Sequence, residues 1–479
     1  MRLVKILLWL GYALLSSAAL MLMTAMVSVI LLEVAEAASM AVLAVISALT
    51  GALMITASFK ASSNESASEA ILFLVLFWAV VPVVCSVPFY VLGAVGGPVE
   101  AVFEGVSAMT TTGASALVPE FQSRTVLFWR SLLQFFGGVS VATFAVVILA
   151  ALNLTGTGIY RSGLFTYRTG HLFERIVGIG RLVAAIYTLF ALIAFGLMIM
   201  GGARTFDALC LALSGVSTGG LQPFSGPLAN VLSPFSAVVL AVLCLLGAFN
   251  LSVLWDFLRL RRSAQFWRLS THVEHRGLLA IAALLVLVTI VFASLYNFGP
   301  AVLDSLYFVS SAGYRYDVIS LDMVPAPILI ATALIGGSAL STAGGIKIIR
   351  LLLLFRHLGT DVSRLSHPSR VKPIEFRGRA ISDDAFLSIW MYFFGYSLCF
   401  AIGALALGAS GIALQDALAV SGASLANIGP LLDFTLPSSG LRYADFNALQ
   451  MTIAAGLMLV GRVEVLVALS LLLPSTWRQ

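Results

Sequence analysis

The sequence predicts an all-α polytopic membrane protein, in which four pseudo-symmetric repeats surround one pore and two further transmembrane helices precede them. Composition is the first indication: 60% of the 479 residues are hydrophobic and 10% are charged, against about 45–50% and about 25% in soluble globular domains. The second is a series of apolar runs long enough to span a bilayer. The third is a short segment that recurs between those runs.

Ten mainly apolar runs are long enough to cross about 30 Å of hydrocarbon, and each must do so as a helix because lipid offers the backbone no hydrogen-bond partner. The runs lie near residues 6–32, 37–58, 70–94, 125–152, 182–201, 231–256, 277–298, 324–355, 384–408 and 444–473. The first run resembles a signal peptide but is longer than an h-region of about 7–15 residues. We therefore expect it to be retained as a helix.

The basic residues predict the orientation of these spans. With a cytoplasmic N-terminus, the connections 153–181, 257–276 and 356–383 hold four, five and six Lys or Arg residues. Cytoplasmic loops of membrane proteins carry such an excess. The net charge of +5 is therefore explained by topology and by contact with the lipid bilayer, and no nucleic-acid partner is predicted.

A semi-polar segment recurs four times between spans, and each copy reaches a glycine: Gly113, Gly219, Gly313 and Gly429. The copies are too short to span and predict re-entrant loops. Without gaps, Ala101-Val-Phe-Glu104 aligns with Ala301-Val-Leu-Asp304. This internal repeat divides the chain into an N-terminal two-helix segment and four pore repeats, with predicted bounds 1–69, 70–181, 182–276, 277–383 and 384–479.

Four loops of the same orientation can close into a ring, whose backbone carbonyls can replace the hydration shell of a cation. The residues before the glycines are neutral: Thr111 and Thr112, Ser217 and Thr218, Ser311 and Ala312, and Asn427 and Ile428. An anion pathway would favour Lys or Arg there, and a hard divalent cation would recruit Asp or Glu. The ring therefore predicts a monovalent-cation site, towards which the short helices direct the negative ends of their dipoles.

Two features of the later spans have more than one interpretation. The small residues of Gly336-Gly-Ser-Ala-Leu-Ser-Thr-Ala-Gly-Gly345 indicate either close helix packing or a helix broken beside a cavity. Arg462 is charged and lies within a span, where such residues are usually paired. Its partner is either Glu464 or the broken helix.

These segments together resemble the Trk/Ktr/HKT superfamily of potassium transporters, and most closely its bacterial TrkH members. The resemblance covers essentially the whole chain. The segments that carry it are Thr110-Thr-Thr-Gly-Ala114, Ser217-Thr-Gly-Gly220, Asn427-Ile-Gly-Pro430, Gly336-Gly337 with Ser341-Thr-Ala-Gly-Gly-Ile-Lys347, and Gly461-Arg462-Val-Glu464.

The resemblance implies potassium uptake down its gradient through a filter formed by the four glycines and the residues before them. It implies a gate in the broken helix, formed by Gly336, Gly337, Ser341, Thr342, Gly344, Gly345 and Lys347, with Arg462 in contact with it. Potassium is then the substrate, and the chain has no cofactor of its own. The implied setting is a homodimer in the bacterial inner membrane, with nucleotide acting only through a cytosolic nucleotide-binding subunit similar to TrkA.

Two departures from the family pattern concern the third loop. Ala312 stands where the family has threonine, so one hydroxyl is lost beside the expected filter. Arg315 places a positive charge near the expected outer mouth, and we predict that Asp317 or Asp322 pairs with it. Sodium- or proton-coupled transport, or sodium permeability, is the alternative function.

The remaining polar motifs predict no enzyme and no metal site. A membrane-embedded enzyme needs a clustered nucleophile and base, and the predicted spans contain no histidine. His272-Val-Glu-His275, His357 and His367 lie in basic connections. We predict that these histidines are solvated loop residues rather than metal ligands.

Overall fold

The computed structural model describes residues 3–58, 67–151, 172–260, 272–293, 298–317, 321–366, 375–376, 379–380, 383–435 and 440–463. In chain order its helices are α1 (Leu3–Ile30), α2 (Val34–Ala57), α3 (Ala67–Val91), α4 (Pro98–Met109), α5 (Arg124–Ala151), α6 (Leu172–Met200), α7 (Thr205–Val216), α8 (Pro234–Ala248), α9 (Leu251–Leu260), α10 (Val273–Ala293), α11 (Phe298–Val309), α12 (Ala326–Ile335), α13 (Ile348–Ser366), α14 (Asp383–Ala409), α15 (Leu414–Leu425), α16 (Leu431–Thr435) and α17 (Ala448–Val463). A small antiparallel hairpin pairs β1 (Glu375–Phe376) with β2 (Arg379–Ala380).

Within the described ranges, seven helices are long and apolar enough to cross a membrane, or eight if the bent pair α8 and α9 forms one span. All seven coincide with predicted spans: α1, α2, α3, α5, α6, α10 and α14. Predicted span eight is divided into α12 and α13 by residues 336–347, as a broken helix requires. The last span is described as α17, and its predicted continuation to residue 473 lies outside the described residues.

One predicted span is wrong in detail. Residues 231–256 were expected to form a continuous helix, but α8 ends at Ala248 and α9 begins at Leu251, with an angle of 105° between them. The stretch contains no proline after Pro234 that would signal such a break. Its cause is a tertiary contact, described below.

Four short helices lie between the long ones, and they position the site. These pore helices, α4, α7, α11 and α15, have 12 residues each. At 1.5 Å per residue such a helix is about 18 Å long, too short to cross the hydrocarbon. The prediction of four re-entrant segments is therefore consistent with the observed helices, which lie in the buried centre of the protein.

The two N-terminal helices cross at a pair of small residues. A Cβ added to Gly11 would lie 2.8 Å from the carbonyl oxygen of Gly51, and one added to Gly51 would lie 2.7 Å from that of Gly11. Small residues allow close backbone approach between transmembrane helices. These glycines thus set the α1–α2 crossing, while Trp9 and Phe73 pack α1 against α3.

Candidate functional site

Each pore helix is followed by a loop, and the four loops share one unusual backbone conformation. We call them ring loops 1 to 4; they comprise residues 110–113, 217–220, 310–313 and 426–429. The second residue of each has a positive φ: 52° at Thr111, 54° at Thr218, 65° at Ser311 and 53° at Asn427. A residue other than glycine in this region stores about 1–3 kcal/mol of strain and persists only where surrounding structure imposes it. Its recurrence at one position in all four loops indicates a shared geometric requirement.

This backbone also fixes the register of ring loop 2. Two residues after the strained position lie Gly113, Gly220, Gly313 and Gly429, and the first three have φ of 81°, 79° and 67°. Gly219 instead donates its N–H to Ser214 at 2.9 Å, as Thr112 does to Ser107. The counterpart of Gly113 is therefore Gly220, one residue beyond the glycine chosen from the sequence, and Ser217 is the counterpart of Thr110.

Close contacts between the glycines and neighbouring loops close the ring. A Cβ added to Gly113, Gly220, Gly313 or Gly429 would lie 3.1 Å or less from an atom of an adjacent loop or of the residue that follows it. These contacts run from Gly113 to Gly219, from Gly220 to Ala312, from Gly313 to Pro430 and from Gly429 to Ala114. In addition, the Gly429 N–H donates to the Thr112 carbonyl at 2.6 Å. The loops therefore follow one another around an axis in chain order, with no room for side chains at these positions.

Residues 336–347 form a compact buried segment between α12 and α13, which we call the gate loop because the family resemblance predicts a gate there. Its ends are held together by hydrogen bonds from Ile346 N to Leu334 O at 2.9 Å and from Lys347 N to Ile335 O at 3.0 Å. Positive φ values at Gly336, Gly345 and Lys347 allow the turns. The small residues thus serve a helix break buried in protein, where non-helical backbone is tolerated at membrane depth.

The gate loop contacts ring loops 2, 3 and 4 directly. The hydroxyl of Thr342 lies 3.1 Å from that of Thr218 in ring loop 2. The Gly344 N–H donates to the Ser311 hydroxyl of ring loop 3 at 3.3 Å. A Cβ on Gly344 would overlap the Ala426 carbonyl of ring loop 4.

Arg462 joins the gate loop to ring loop 1. Its guanidinium donates to the Thr110 carbonyl and the Thr111 hydroxyl, and its Nη1 donates to the Thr342 carbonyl at 2.5 Å. The predicted contact between Arg462 and the gate loop is therefore present, whereas Glu464, the other suggested partner, lies outside the described residues. Lys347 donates to gate-loop carbonyls, with Nζ 3.3 Å from Ser341 O.

A cavity of about 530 Å³, which we call the vestibule, is lined by the four ring glycines and by charged residues. Arg315 lines it and forms an ion pair with Asp322, which confirms the predicted pairing. Asp433 also lines the vestibule, and desolvation raises the pKa of this carboxyl to about 6, although Arg315 and Arg442 lower it. The residue is nevertheless exposed to water from the vestibule, so its charge can titrate there.

Comparisons with known proteins identify the family. The TrkH family profile, described as a cation transport protein, matches residues 35–476. The chain belongs to the TrkH family. It is 30% identical to the Trk system potassium uptake protein TrkH of Salmonella typhimurium over 423 residues, 86% of each chain. It is 28% identical to the Trk system potassium uptake protein TrkG of Escherichia coli over 422 residues, which are 86% of this chain and 85% of TrkG.

A solved structure confirms the fold class. The crystal structure of the potassium transporter TrkH from Vibrio parahaemolyticus superposes with a TM-score of 0.87 and 26% identity, covering 100% of both chains. This TrkH-family chain is thus a multi-pass all-α membrane protein, and it is a transport protein rather than an enzyme, as the sequence predicted.

Sequence reasoning missed a side-chain network behind ring loop 2. Gln134 of α5 donates through Nε2 to the Gly219 carbonyl at 2.5 Å, and its Oε1 accepts from the Ser214 hydroxyl at 2.5 Å. Tyr314, which follows ring loop 3, donates to Ser214 at 2.6 Å. On the other side of the ring, Tyr443 donates to the Gly429 carbonyl at 3.0 Å. These side chains orient the ring backbone, and no local motif marks them.

Two aligned acidic residues stabilise the backbone that leaves ring loops 1 and 3. Glu104 in α4 is fully buried and accepts from the N–H groups of Ala116 at 2.6 Å and Leu117 at 3.3 Å. Asp304 in α11 accepts from Tyr316 N and, at 3.4 Å, from Asp317 N. The alignment of these acids was visible in the sequence, but only their contacts show that they act as backbone acceptors.

Three glycines outside the predicted site hold the following helices against the pore helices. A Cβ added to Gly137 of α5, Gly247 of α8 or Gly461 of α17 would overlap the last carbonyl of a pore helix. The carbonyls belong to Met109, Val216 and Leu425 respectively. The spacing of these glycines after the ring differs between repeats, which is why they were not recognised as a set.

The prediction of solvated histidines is wrong for His275. This residue and Glu274 are each 1% exposed, because the first turn of α10 packs against the break between α8 and α9. His357 is partly exposed and lies 3.1 Å from the Asp361 carboxylate, while His367 lies outside the described residues. Within the described ranges no group of three or more His, Cys, Asp or Glu residues could hold a metal ion.

Proposed function

We propose that this chain takes up potassium through a channel-like pore, whose filter is formed by the four ring loops. The closed ring of four loops with one repeated left-handed backbone position is the observation that carries the proposal. Such a backbone presents carbonyls in place of a hydration shell. The relatives that are named as potassium uptake proteins of a Trk system support potassium as the ion.

The proposed coordinating groups are backbone carbonyls rather than charged side chains. The residues that supply them are Thr111, Thr112 and Gly113; Thr218, Gly219 and Gly220; Ser311, Ala312 and Gly313; and Asn427, Ile428 and Gly429. The C-terminal ends of the pore helices carry partial negative charge that favours a cation. The replacement of a hydroxyl by the Ala312 methyl leaves the carbonyl in place, so the third loop can still contribute to the filter.

The gate loop is proposed to close the pore on the side of the ring away from the vestibule. Its contacts with ring loops 2, 3 and 4, and its link through Arg462 to ring loop 1, support this assignment. The contacts bring the gate loop against all four ring loops, directly or through Arg462, and leave it buried. The described conformation is therefore interpreted as non-conducting.

The setting of the protein is also proposed. The basic connections at 153–181, 257–276 and 356–383 support a cytoplasmic N-terminus, and the family resemblance supports the bacterial inner membrane. The basic residues of these connections are suited to binding a cytosolic nucleotide-binding subunit similar to TrkA, and the family resemblance suggests a homodimer. In this proposal the chain has no resident cofactor, potassium is its substrate, and nucleotide acts through the partner.

Rubidium flux into proteoliposomes, with and without competing sodium, tests the proposal. Wild-type protein is expected to take up rubidium in preference to sodium, with a reversal potential that follows the potassium gradient. Gly113→Ser should lose this preference, since its side chain would overlap Gly219. Gly93→Ser is the matched control, because Gly93 also has a positive φ of 68° but nothing within 4 Å.

The reversal potential separates the proposed channel from the coupled alternative. A sodium- or proton-coupled transporter would reverse at a potential that depends on the second ion. Absence of rubidium flux in the wild type, in the presence of a cytosolic partner fraction, would refute the proposal as a whole.

A further inference from the structure

The break between α8 and α9 exposes backbone groups that the gate loop satisfies. Thr342 N donates to Gly247 O at 3.3 Å and Ser338 N donates to Ala248 O at 3.2 Å, while Leu251 N donates to Leu340 O at 2.8 Å. Unpaired peptide groups are costly at membrane depth. The peptide groups of the α8–α9 break and of the gate loop therefore serve as hydrogen-bond partners for each other, although the two segments are about ninety residues apart in sequence.

A buried carboxylate lies where these two breaks meet. Glu274, in the first turn of α10, accepts from the gate-loop Ala339 N–H at 2.7 Å and lies 3.3 and 3.4 Å from the Asn250 side-chain amide. Asn250 stands in the α8–α9 break, and its own N–H donates to His275 Nε2 at 2.9 Å. The side-chain oxygen of Asn250 accepts from Ser252 N at 3.0 Å, at the start of α9.

We propose that Glu274 is a positioning residue that holds the gate loop in its closed position, with Asn250 linking this contact to the broken helix. The inference rests on the proposed function of the gate loop and adds the group that determines how readily this loop leaves the pore. It also gives a role to the His272-Val-Glu-His275 motif, which the filter does not use.

The chemistry of this contact complements that of the basic groups that bind the same loop. Arg462 and Lys347 bind gate-loop carbonyls, whereas Glu274 binds a gate-loop N–H. A hydrogen bond from a neutral donor to a carboxylate is roughly twice as strong as one between neutral groups. When the loop leaves, the buried carboxylate loses this donor, so the contact favours the closed state.

If Glu274 only stabilised the fold, its replacement would have a different effect from the one expected for a residue that holds the gate loop. Ala339 belongs to the loop that moves in the proposed gate, whereas Glu274 and Asn250 lie in the first turn of α10 and in the α8–α9 break. Weakening the Glu274 contact should therefore change the ratio of open to closed channels. It should not change the ring loops, and hence neither unitary conductance nor the preference for potassium over sodium.

Single-channel recording of the full-length protein in planar bilayers tests this inference. Glu274→Gln keeps the size of the side chain but removes its charge, and Glu274→Ala removes the acceptor. We expect the open-to-closed ratio to rise several-fold in the first variant and about tenfold or more in the second, from the strength of hydrogen bonds to charged groups. Unitary conductance and selectivity should match the wild type.

Glu33→Gln is the matched control. The Glu33 carboxylate likewise accepts backbone N–H groups, from Arg124 at 3.0 Å and Thr125 at 2.8 Å, but it caps α5 far along the chain from the gate loop. Its open-to-closed ratio should be that of the wild type. An unchanged ratio in both Glu274 variants, or equal changes in the Glu274 and Glu33 variants, would overturn the inference.

Hydrogen–deuterium exchange provides a readout that does not depend on current. In Glu274→Gln, amides of residues 336–347 should exchange faster than in wild type and in Glu33→Gln, while those of α11 should not change. If the wild type carried no potassium current, the proposed function would fail, yet exchange would still decide whether Glu274 holds this loop. Unchanged exchange in a folded Glu274→Ala variant would refute the contact itself.

Discussion

Replacing Gly220 with alanine tests the register of ring loop 2, where backbone geometry and sequence alignment select different glycines. Gly220 has a φ of 79°, and a Cβ there would overlap the Ala312 carbonyl of the next loop. At Gly219, which has no positive φ, a Cβ would lie 2.4 Å from Cδ of Gln134, a side chain whose displacement would break its hydrogen bond to Gly219 but would not move the backbone of another loop. Because displacing a backbone carbonyl costs more than displacing a side chain, alanine should be more damaging at position 220 than at position 219.

The expected magnitude follows from two separate terms. A left-handed conformation costs an L-residue about 1–2 kcal/mol, equivalent to a factor of roughly 5–30 in an equilibrium. Gly202 has a φ of 86° and nothing within 4 Å of its Cβ position, so Gly202→Ala measures this strain by itself. At Gly220 the overlap with a backbone carbonyl adds to the strain, because that carbonyl cannot move without displacing ring loop 3.

The assay is rubidium uptake with sodium competition, corrected for the amount of folded protein. Gly220→Ala should reduce potassium-selective uptake by at least tenfold, Gly219→Ala should reduce it less, and Gly202→Ala should affect stability without changing selectivity. If Gly219→Ala abolished selectivity while Gly220→Ala retained it, the register inferred from the backbone would be refuted.

Three further perturbations test other parts of the site. Arg462→Gln removes the guanidinium that donates to Thr342, and leaving that carbonyl unpaired should raise the open fraction about tenfold in single-channel recordings. The pKa of the Asp433 carboxyl is raised to about 6, so this group is charged above that pH and neutral below it. Rubidium influx should therefore fall as the vestibule side is acidified from about pH 7.5 to about 5. Asp433→Asn should remove this pH dependence. Gly247→Ala should lower the melting temperature by several degrees because its Cβ would overlap a pore-helix carbonyl, whereas Gly196→Ala, with nothing within 4 Å, should not.

Features encoded by local composition could be predicted from the sequence. The gate loop was expected over Gly336–Gly345 and Lys347, and residues 336–347 are the observed interruption. Glycines and hydroxyl residues lower the cost of a helix break, so the signal is contained in the segment itself. The four short pore helices were predictable for the same reason, since each lies in a short semi-polar segment between apolar runs.

Features that depend on a distant partner could not be predicted. The break at Phe249 and Asn250 is stabilised by gate-loop residues such as Leu340, and α8 itself reads as a continuous apolar helix. His275 lies in the basic connection 257–276, yet it is buried because α10 packs against this break. In ring loop 2, the sequence alone does not distinguish Gly219 from Gly220 as the counterpart of Gly113, whereas the backbone φ of Gly220 does.

The asymmetry of the four repeats supports the proposal that gate movement occurs in the third. In repeats 1, 2 and 4, Gly137, Gly247 and Gly461 bring the following helix into direct contact with the last carbonyl of a pore helix. A rotation of any of these helices would either pull the glycine away from that carbonyl or force the two together, and would thereby disturb the ring. In repeat 3, α12 ends at Ile335 and the gate loop follows, held by hydrogen bonds and by the close approach of Gly344 to the Ala426 carbonyl. The proposed gate movement therefore needs only the non-helical segment 336–347 to shift, and Glu274 binds that segment at the Ala339 N–H.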